Sequence, residues 1–339
     1  MEDTGTTNTI ETNWVNFLGN YKVGKPIEDG ALQVFPLHQR ASVENGKANP
    51  GAALGITPGT GASTEGTAGE RPWKLAEELL ADGSATVHEV DESGTVSELC
   101  FDNQGDAHAL LLDGIELRGC KQNRMVNTTI LAGAGQKTPI DVSCVEAGRW
   151  DYRGRSFSHA GRMVAGSLRN HKAHMVKENL GRHGRAWTDQ HEVWQEIDEF
   201  LDVGKCESPT RALDDAYDSL SRQTPERKSP VVEGEGAVVA IGGQILGLDL
   251  LADRALFAGF WKSASRGYAL DAARADTDKS TTAGQVEEWL ASLASEARLY
   301  PVEVAGVGQH FGVKGSGLSG SVLLHEGDLV HAAVFPELA

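Results

Sequence analysis

Between Asp113 and Trp150 the chain runs DGIELRGCKQNRMVNTTILAGAGQKTPIDVSCVEAGRW, a span with more polar chemistry than a core-building segment needs. Gly114 and Gly119 bracket Glu116, which sets that carboxylate on a tight segment where backbone can approach a ligand. Lys121, Gln122, Asn123 and Arg124 follow in a row, and Asn127 comes three residues later. Taken as a turn or a short helical turn, the stretch puts Arg124 and Asn127 on the same face as Cys120. Cations beside orienting amides suit a phosphate or carboxylate, because the arginine fork matches two oxygens at once. The bland alternative is solvated charge, with Asn123 and Asn127 tying off loop backbone.

Thr138 to Val145 reads as a strand with Ile140, Val142 and Cys144 on one face. A cysteine alternating with Ile and Val is more often core than nucleophile. Glu146 stands just past the strand end, ahead of Arg149 and Trp150, where it could do acid–base work. A plain Glu146 to Arg149 ion pair explains the same spacing. Glu116 and Glu146 are thus the candidate catalytic carboxylates. Lys121, Gln122, Asn123, Arg124, Asn127, Arg149 and Trp150 are the candidate ligand contacts. His171 and His174 lie three apart on a helix, but the pattern fixes no third ligand, so no metal site is expected. Gly306 to Gly317, GVGQHFGVKGSG, lacks the phosphate-loop spacing and reads as turn chemistry, so the cofactor is left unknown.

The formal charge of −17 argues against general binding to nucleic acid or anionic membranes. The average hides an asymmetry, since residues 113 to 187 hold thirteen Lys and Arg against six acids while the remainder carries a surplus of 24 negative charges. Such a basic island could attract a compact anion, or it could pair with acidic surfaces of a protein partner or of its own chain. Four cysteines without a CxxC pair are too sparse for a disulfide framework. With no leader-like start and no apolar run near the ~20 residues that span a bilayer, a soluble cytoplasmic protein is expected.

The elements that must position these residues come in blocks. Ala31 to Leu37 reads as a strand, Trp73 to Ala81 as a helix stopped by Gly83, and Ala85–Val90, Thr95–Phe101 and Ala107–Leu112 as a β-meander feeding the central span. A helical middle follows: Ala160–Leu180, Thr188–Leu201 with Thr188 as N-cap, and Arg211–Ser221. The last part pairs Gly236–Ile241 with Gln244–Leu250 across Gly242-Gly243, then has helices at Leu251–Arg274 and Gln285–Ala297 and closing strands at Gly320–His325 and Leu329–Phe335. Blocked strands and helices favour α+β, with hairpin-rich sheets, a helical middle and a C-terminal hairpin–helix–hairpin half. The expected organisation is a polar extension over 1–30, an α+β part over 31–222 with a low-complexity insertion at 42–71, a linker over 223–230 and a second α+β part over 231–339, packed with the first as one unit.

The central span, together with GAVVAIGGQILGLDLLADRALFAGFWKSASRGYALDA further on, resembles the ARG-and-rhodanese-phosphatase-superfamily-associated domain family. The likeness runs from about Leu32 to the C-terminus. Matched positions are Glu116, Gly119, Lys121 to Arg124, Asn127, Ser143 to Glu146 and Gly148 to Trp150. Ile115 and Cys120 stand where the family more usually has an acidic and a small residue, so an accessory carboxylate at 115 is missing. The family is named for neighbours that include ADP-ribosylglycohydrolases. The resemblance therefore implies, by association, binding and possible processing of a phosphorylated, nucleotide-derived small molecule related to ADP-ribose. The alternative is a non-catalytic interaction module whose basic island docks an acidic protein partner or the acidic rest of the chain.

Overall fold

The structure, a computed structural model, describes residues 14–40, 54, 72–183, 185–224 and 228–337. Most of the low-complexity insertion, the first part of the N-terminal extension and the middle of the 223–230 linker lie outside the described residues.

The strands most apolar in sequence form the centre of a nine-stranded antiparallel sheet. β13 (Gly236–Ile241), buried throughout, lies between β3 (Leu32–Gln39) and β14 (Gln244–Leu251). The sheet continues on one side to β1 (Tyr21–Val23), with β2 (Ile27–Asp29) also on β3. On the other it continues through β18 (Asp328–Pro336), β17 (Leu318–His325) and β16 (Gln309–Gly315) to β15 (Arg298–Val302). The hairpin between β13 and β14 turns on Gly242 and Gly243 with φ of 56° and 78°, a left-handed pair that side-chain-bearing residues adopt poorly.

One face of this sheet, with Phe35, Val238, Leu248 and Val334, is covered by α1 (Trp14–Gly19) and α7 (Ala283–Glu296). Thr282 and Gln285 cap α7 reciprocally: Gln285 N donates to Thr282 Oγ1 at 3.2 Å and Thr282 N donates to Gln285 Oε1 at 2.8 Å. The other face packs on α6 (Arg254–Ala272), whose Phe257, Phe260, Trp261 and Tyr268 join a core shared with the N-terminal strands.

Those strands make two further units. β4 (Trp73–Leu75), β7 (His108–Leu111) and β10 (Ile130–Ala132) form a small sheet in which β4 and β7 are parallel. A closed six-stranded barrel joins β11 (Lys137–Cys144), β6 (Glu98–Asn103), β5 (Ala85–Glu89), β12 (Phe157–Met163), β8 (Ile115–Gly119) and β9 (Arg124–Val126) in that order. α2 (Ala76–Asp82) packs beside β5 and ends at Gly83 with φ of 81°. α4 (Gln190–Val203) and α5 (Leu213–Gln223) pack outside the barrel against Met125 and Val145, and α3 (Gly166–His183) lies beside α4 across β14 and β16–β18 of the large sheet. The class is mixed α+β, as expected.

Three local expectations are corrected. Ala160 to Met163 belongs to β12, not to a helix, because Gly161 at φ of 73° bulges the strand where its pairing with β8 shifts register. Gln309 to Gly315 is a strand instead of turn chemistry, with glycine at 312 because a Cβ there would lie 2.2 Å from the Tyr300 ring. The N-cap of α4 is Asp189, whose carboxylate accepts from His191 N at 2.8 Å, and not Thr188. Among the described residues no helix is long and apolar enough to cross a membrane.

Candidate functional site at the barrel end

The stretch read from sequence as a turn is two strands with a tight connection. β8 and β9 pair through Glu116 with Met125 and Leu117 with Arg124, and β9 pairs with β11 through Arg124 and Cys144. Cross-strand partners share a face of the sheet. Leu117, Arg124 and Cys144 therefore face one way, with Val126 and Val142, into the barrel core. Glu116 and Met125 face the other way, toward α5. The connection between β8 and β9 turns at Cys120, which has φ of 40°.

Arg124 is fully buried, and its Nη1 donates to Gln122 Oε1 at 3.3 Å and to the Asn123 carbonyl at 3.5 Å. Its Nε and Nη2 have no hydrogen-bond partner among the described residues. Among the described residues no carboxylate lies within ion-pair distance, 4.0 Å, of this guanidinium. Its carbon lies 5.6 Å from the ring centroid of Trp150, which is 43% exposed. The Lys121 ammonium, 5.3 Å from that ring and 5.0 Å from Tyr152, donates to the Ser93 carbonyl. Glu89 completes the group: its Oε1 accepts from Lys121 N at 3.4 Å, while its buried Oε2 has no partner among the described residues. Glu89 pairs with Leu99, Glu98 with Asp141 and Cys144 with Arg124 along successive strands, which places Glu89, Arg124 and Cys144 at one barrel end. Burial pushes the thiols of Cys120 and Cys144 up to about 11 and leaves Cys144 without the exposure a nucleophile requires.

Glu146 and Arg149 pair as the plain reading has it. Arg149 donates through Nε at 2.9 Å and Nη2 at 2.7 Å, and its Nη1 goes to the carbonyls of Cys120 and Asp151 at 2.6 and 2.8 Å. Asn123 joins them, with Oδ1 accepting from Arg149 Nη2 at 3.2 Å and N donating to Glu146 Oε2 at 3.2 Å. Burial alone would raise the Glu146 carboxyl, but bonds from Arg149, Thr210 and Asn123 outweigh it and hold it below the usual range.

Glu116 meets a different arginine. Arg162 of β12 forks its carboxylate at 2.7 and 3.3 Å, stacks 4.1 Å over the Tyr217 ring and also pairs with Asp214. Burial raises the Glu116 carboxyl despite Arg162 and Arg118. Asp214 accepts from Arg118 Nε at 2.7 Å and from Asn123 Nδ2 at 3.2 Å, so it links the two groups of the motif. Asn127 stands apart: its amide donates to the Ala186 carbonyl at 2.8 Å and accepts from Ser143 at 2.8 Å.

A second buried network, not singled out from the sequence, lies where α3 crosses the large sheet. Arg169 donates to Asp113 and Asp249 at 2.8 Å each, Lys172 donates to Asp113 at 3.0 Å, and His331 Nε2 lies 3.1 Å from Asp249. Burial opposes the ionised carboxyls, yet Arg169 in contact with both holds Asp113 well below the usual range and lowers Asp249 as well. Ligand atoms of Asp113, Asp249 and His331 converge within 4.8 Å, which a dication could use. Arg169 and Lys172 already balance the two carboxylates, so the donor set suits an internal ion cluster better than a metal. The sequence does mark this network: Asp249 interrupts the apolar run ILGLDLL and His331 interrupts LVHAAVF. Glu89 was also legible, since it falls in phase with buried Ala85 and Val87.

A mixed α+β protein thus presents a charged barrel end built from one continuous motif. The chain belongs to the ARG and Rhodanese-Phosphatase-superfamily-associated Protein domain family, whose model matches residues 20–335. No curated protein and no solved structure matches it.

Proposed function

We propose that the barrel end binds a small phosphorylated, nucleotide-derived anion, with Arg124 as the principal contact. The observation that carries this is the buried Arg124 guanidinium with two unbonded nitrogens and no carboxylate partner among the described residues. A buried charge left uncompensated costs several kcal/mol, so such an arrangement persists where a ligand supplies the missing partner. A phosphate offers oxygens to Nε and Nη2 together. Lys121 adds a second cation, Gln122 and Asn123 fix the guanidinium, and exposed Trp150 and Tyr152 offer rings on which a base can stack. The Glu146–Arg149 pair holds the loop that carries Trp150, and Glu116 holds Arg162; both carboxylates position the site in this proposal. Family association points to ADP-ribose and its relatives.

An interaction module is the alternative, favoured by the pairing of island residues with acids outside it: Arg118 and Arg162 with Asp214, Arg169 with Asp249, and Arg185 with Glu98. Isothermal titration with ADP-ribose, ADP and ribose 5-phosphate separates the two. Ligand binding by the unmodified chain, weakened about tenfold or more by Arg124→Gln, is the expected result. No binding of any of the three, or equal binding by Arg124→Gln, would overturn the proposal.

A further inference from the structure

A half-open cavity of about 600 Å³ lies between β3, α5, α6 and the segment 228–230, in the size range of small-molecule sites. Among the described residues its wall carries three cations, Arg162, Arg266 and Lys228, against one carboxylate, Asp29. The cations differ in how far they are committed. Arg162 is buried and engaged with Glu116 and Asp214. Arg266 donates one N–H, from Nη1, to the Gly161 carbonyl at 2.7 Å and is otherwise exposed. Lys228 is exposed and is in no ion pair among the described residues. Between them the Ser265 hydroxyl bonds that of Ser229 at 2.8 Å, so hydroxyl groups line the same wall.

We infer that this cavity is a second anion site, taking a phosphorylated small molecule with Arg266 and Lys228 as its direct contacts. In a chain of net charge −17 a cationic hollow focuses potential and raises the local concentration of a small anion. The guanidinium of Arg266 and the ammonium of Lys228 supply the fork and the point charge that phosphate oxygens accept from, and the serine hydroxyls suit the hydroxyl groups of a phosphorylated metabolite. Arg162 forms the inner wall and passes through Asp214 to Asn123, so an occupant here is electrostatically joined to the central motif. The site does not depend on Arg124.

Inorganic pyrophosphate is the probe, titrated calorimetrically at low salt into the full chain carrying Arg124→Met, which removes the barrel-end contact. One equivalent is expected to bind, and adding Arg266→Gln with Lys228→Gln is expected to weaken it about tenfold or more. In the unmodified chain the same two surface substitutions remove one equivalent of bound pyrophosphate whether or not the barrel end binds. Absence of binding in the Arg124→Met chain, or unchanged affinity without Arg266 and Lys228, would overturn the second site. Neither result bears on ADP-ribose binding that Arg124→Gln weakens.

Discussion

Two fully buried arginines of this protein should respond to the same substitution with opposite signs. Arg124→Met keeps most of the side-chain volume and removes a guanidinium whose Nε and Nη2 lack partners. Two unsatisfied buried donors cost about 2–6 kcal/mol and the two long Nη1 bonds lost with them offset ~1–2 kcal/mol, so the ligand-free variant should gain ~2–4 kcal/mol. An unfolding entropy of ~2.1 cal/mol/K per residue gives ~0.7 kcal/mol/K for 339 residues, and the gain becomes a Tm rise of ~3–6 °C. Arg169→Met removes the fork shared by Asp113 and Asp249, leaving buried Asp113 with Lys172 as its cation and buried Asp249 with only His331 and the Tyr268 hydroxyl. It should cost at least ~3–5 kcal/mol. Urea and thermal unfolding of the unmodified chain and both variants, without added anions, makes the comparison. A destabilised Arg124→Met would refute the reasoning, because it would mean that the guanidinium is already compensated within the fold.

Other consequences follow from the same geometry. The Asp271 carboxyl accepts from Gly166 N at 2.6 Å and Ser167 N at 3.2 Å at the start of α3, and burial raises it to about 6. A carboxyl raised in the folded state disfavours folding once ionised, so stability falls as pH rises from about 4 through about 6; relative to Asp271→Asn the loss should be about 3 kcal/mol in urea titrations across that window. An unchanged difference across it would contradict the assignment. Gly312→Ala should destabilise by about 1–3 kcal/mol, since its Cβ would meet the Tyr300 ring at 2.2 Å, and Tyr300→Ala in the same chain should relieve that clash. In native protein at pH 7.5 a disulfide reagent should modify the partly exposed Cys100 and Cys206 first and reach Cys120 and Cys144 only on unfolding. Fast native labelling of Cys144 would revive a thiol role.

Local signals in the sequence carried much of the fold. Gly242-Gly243 between two apolar strands allowed one compact hairpin, and the alternation Ala85, Val87, Glu89 allowed one buried face. Barrel closure was not legible, because β12 meets β8 through a bulge at Gly161 and the segment HAGRMV has no strand period. α3 hides its inner side for a related reason. Its buried Arg169, Asn170 and Lys172 are polar, and each is satisfied by groups distant in sequence, such as Asp249, the Leu246 carbonyl and Asp113. The same long-range pairing decides the candidate site. Arg124 and Arg162 look equivalent as sequence, and only the fold gives Arg162 two carboxylates and leaves Arg124 beneath Trp150 with none in reach among the described residues.

A crystal structure of the full chain with ADP-ribose addresses the barrel end most directly. The expected result is a phosphate with oxygens within hydrogen-bond distance of Arg124 Nε and Nη2. A ligand-free barrel end, with a single ordered water bridging Arg124 to Glu89 under saturating ADP-ribose, would contradict it.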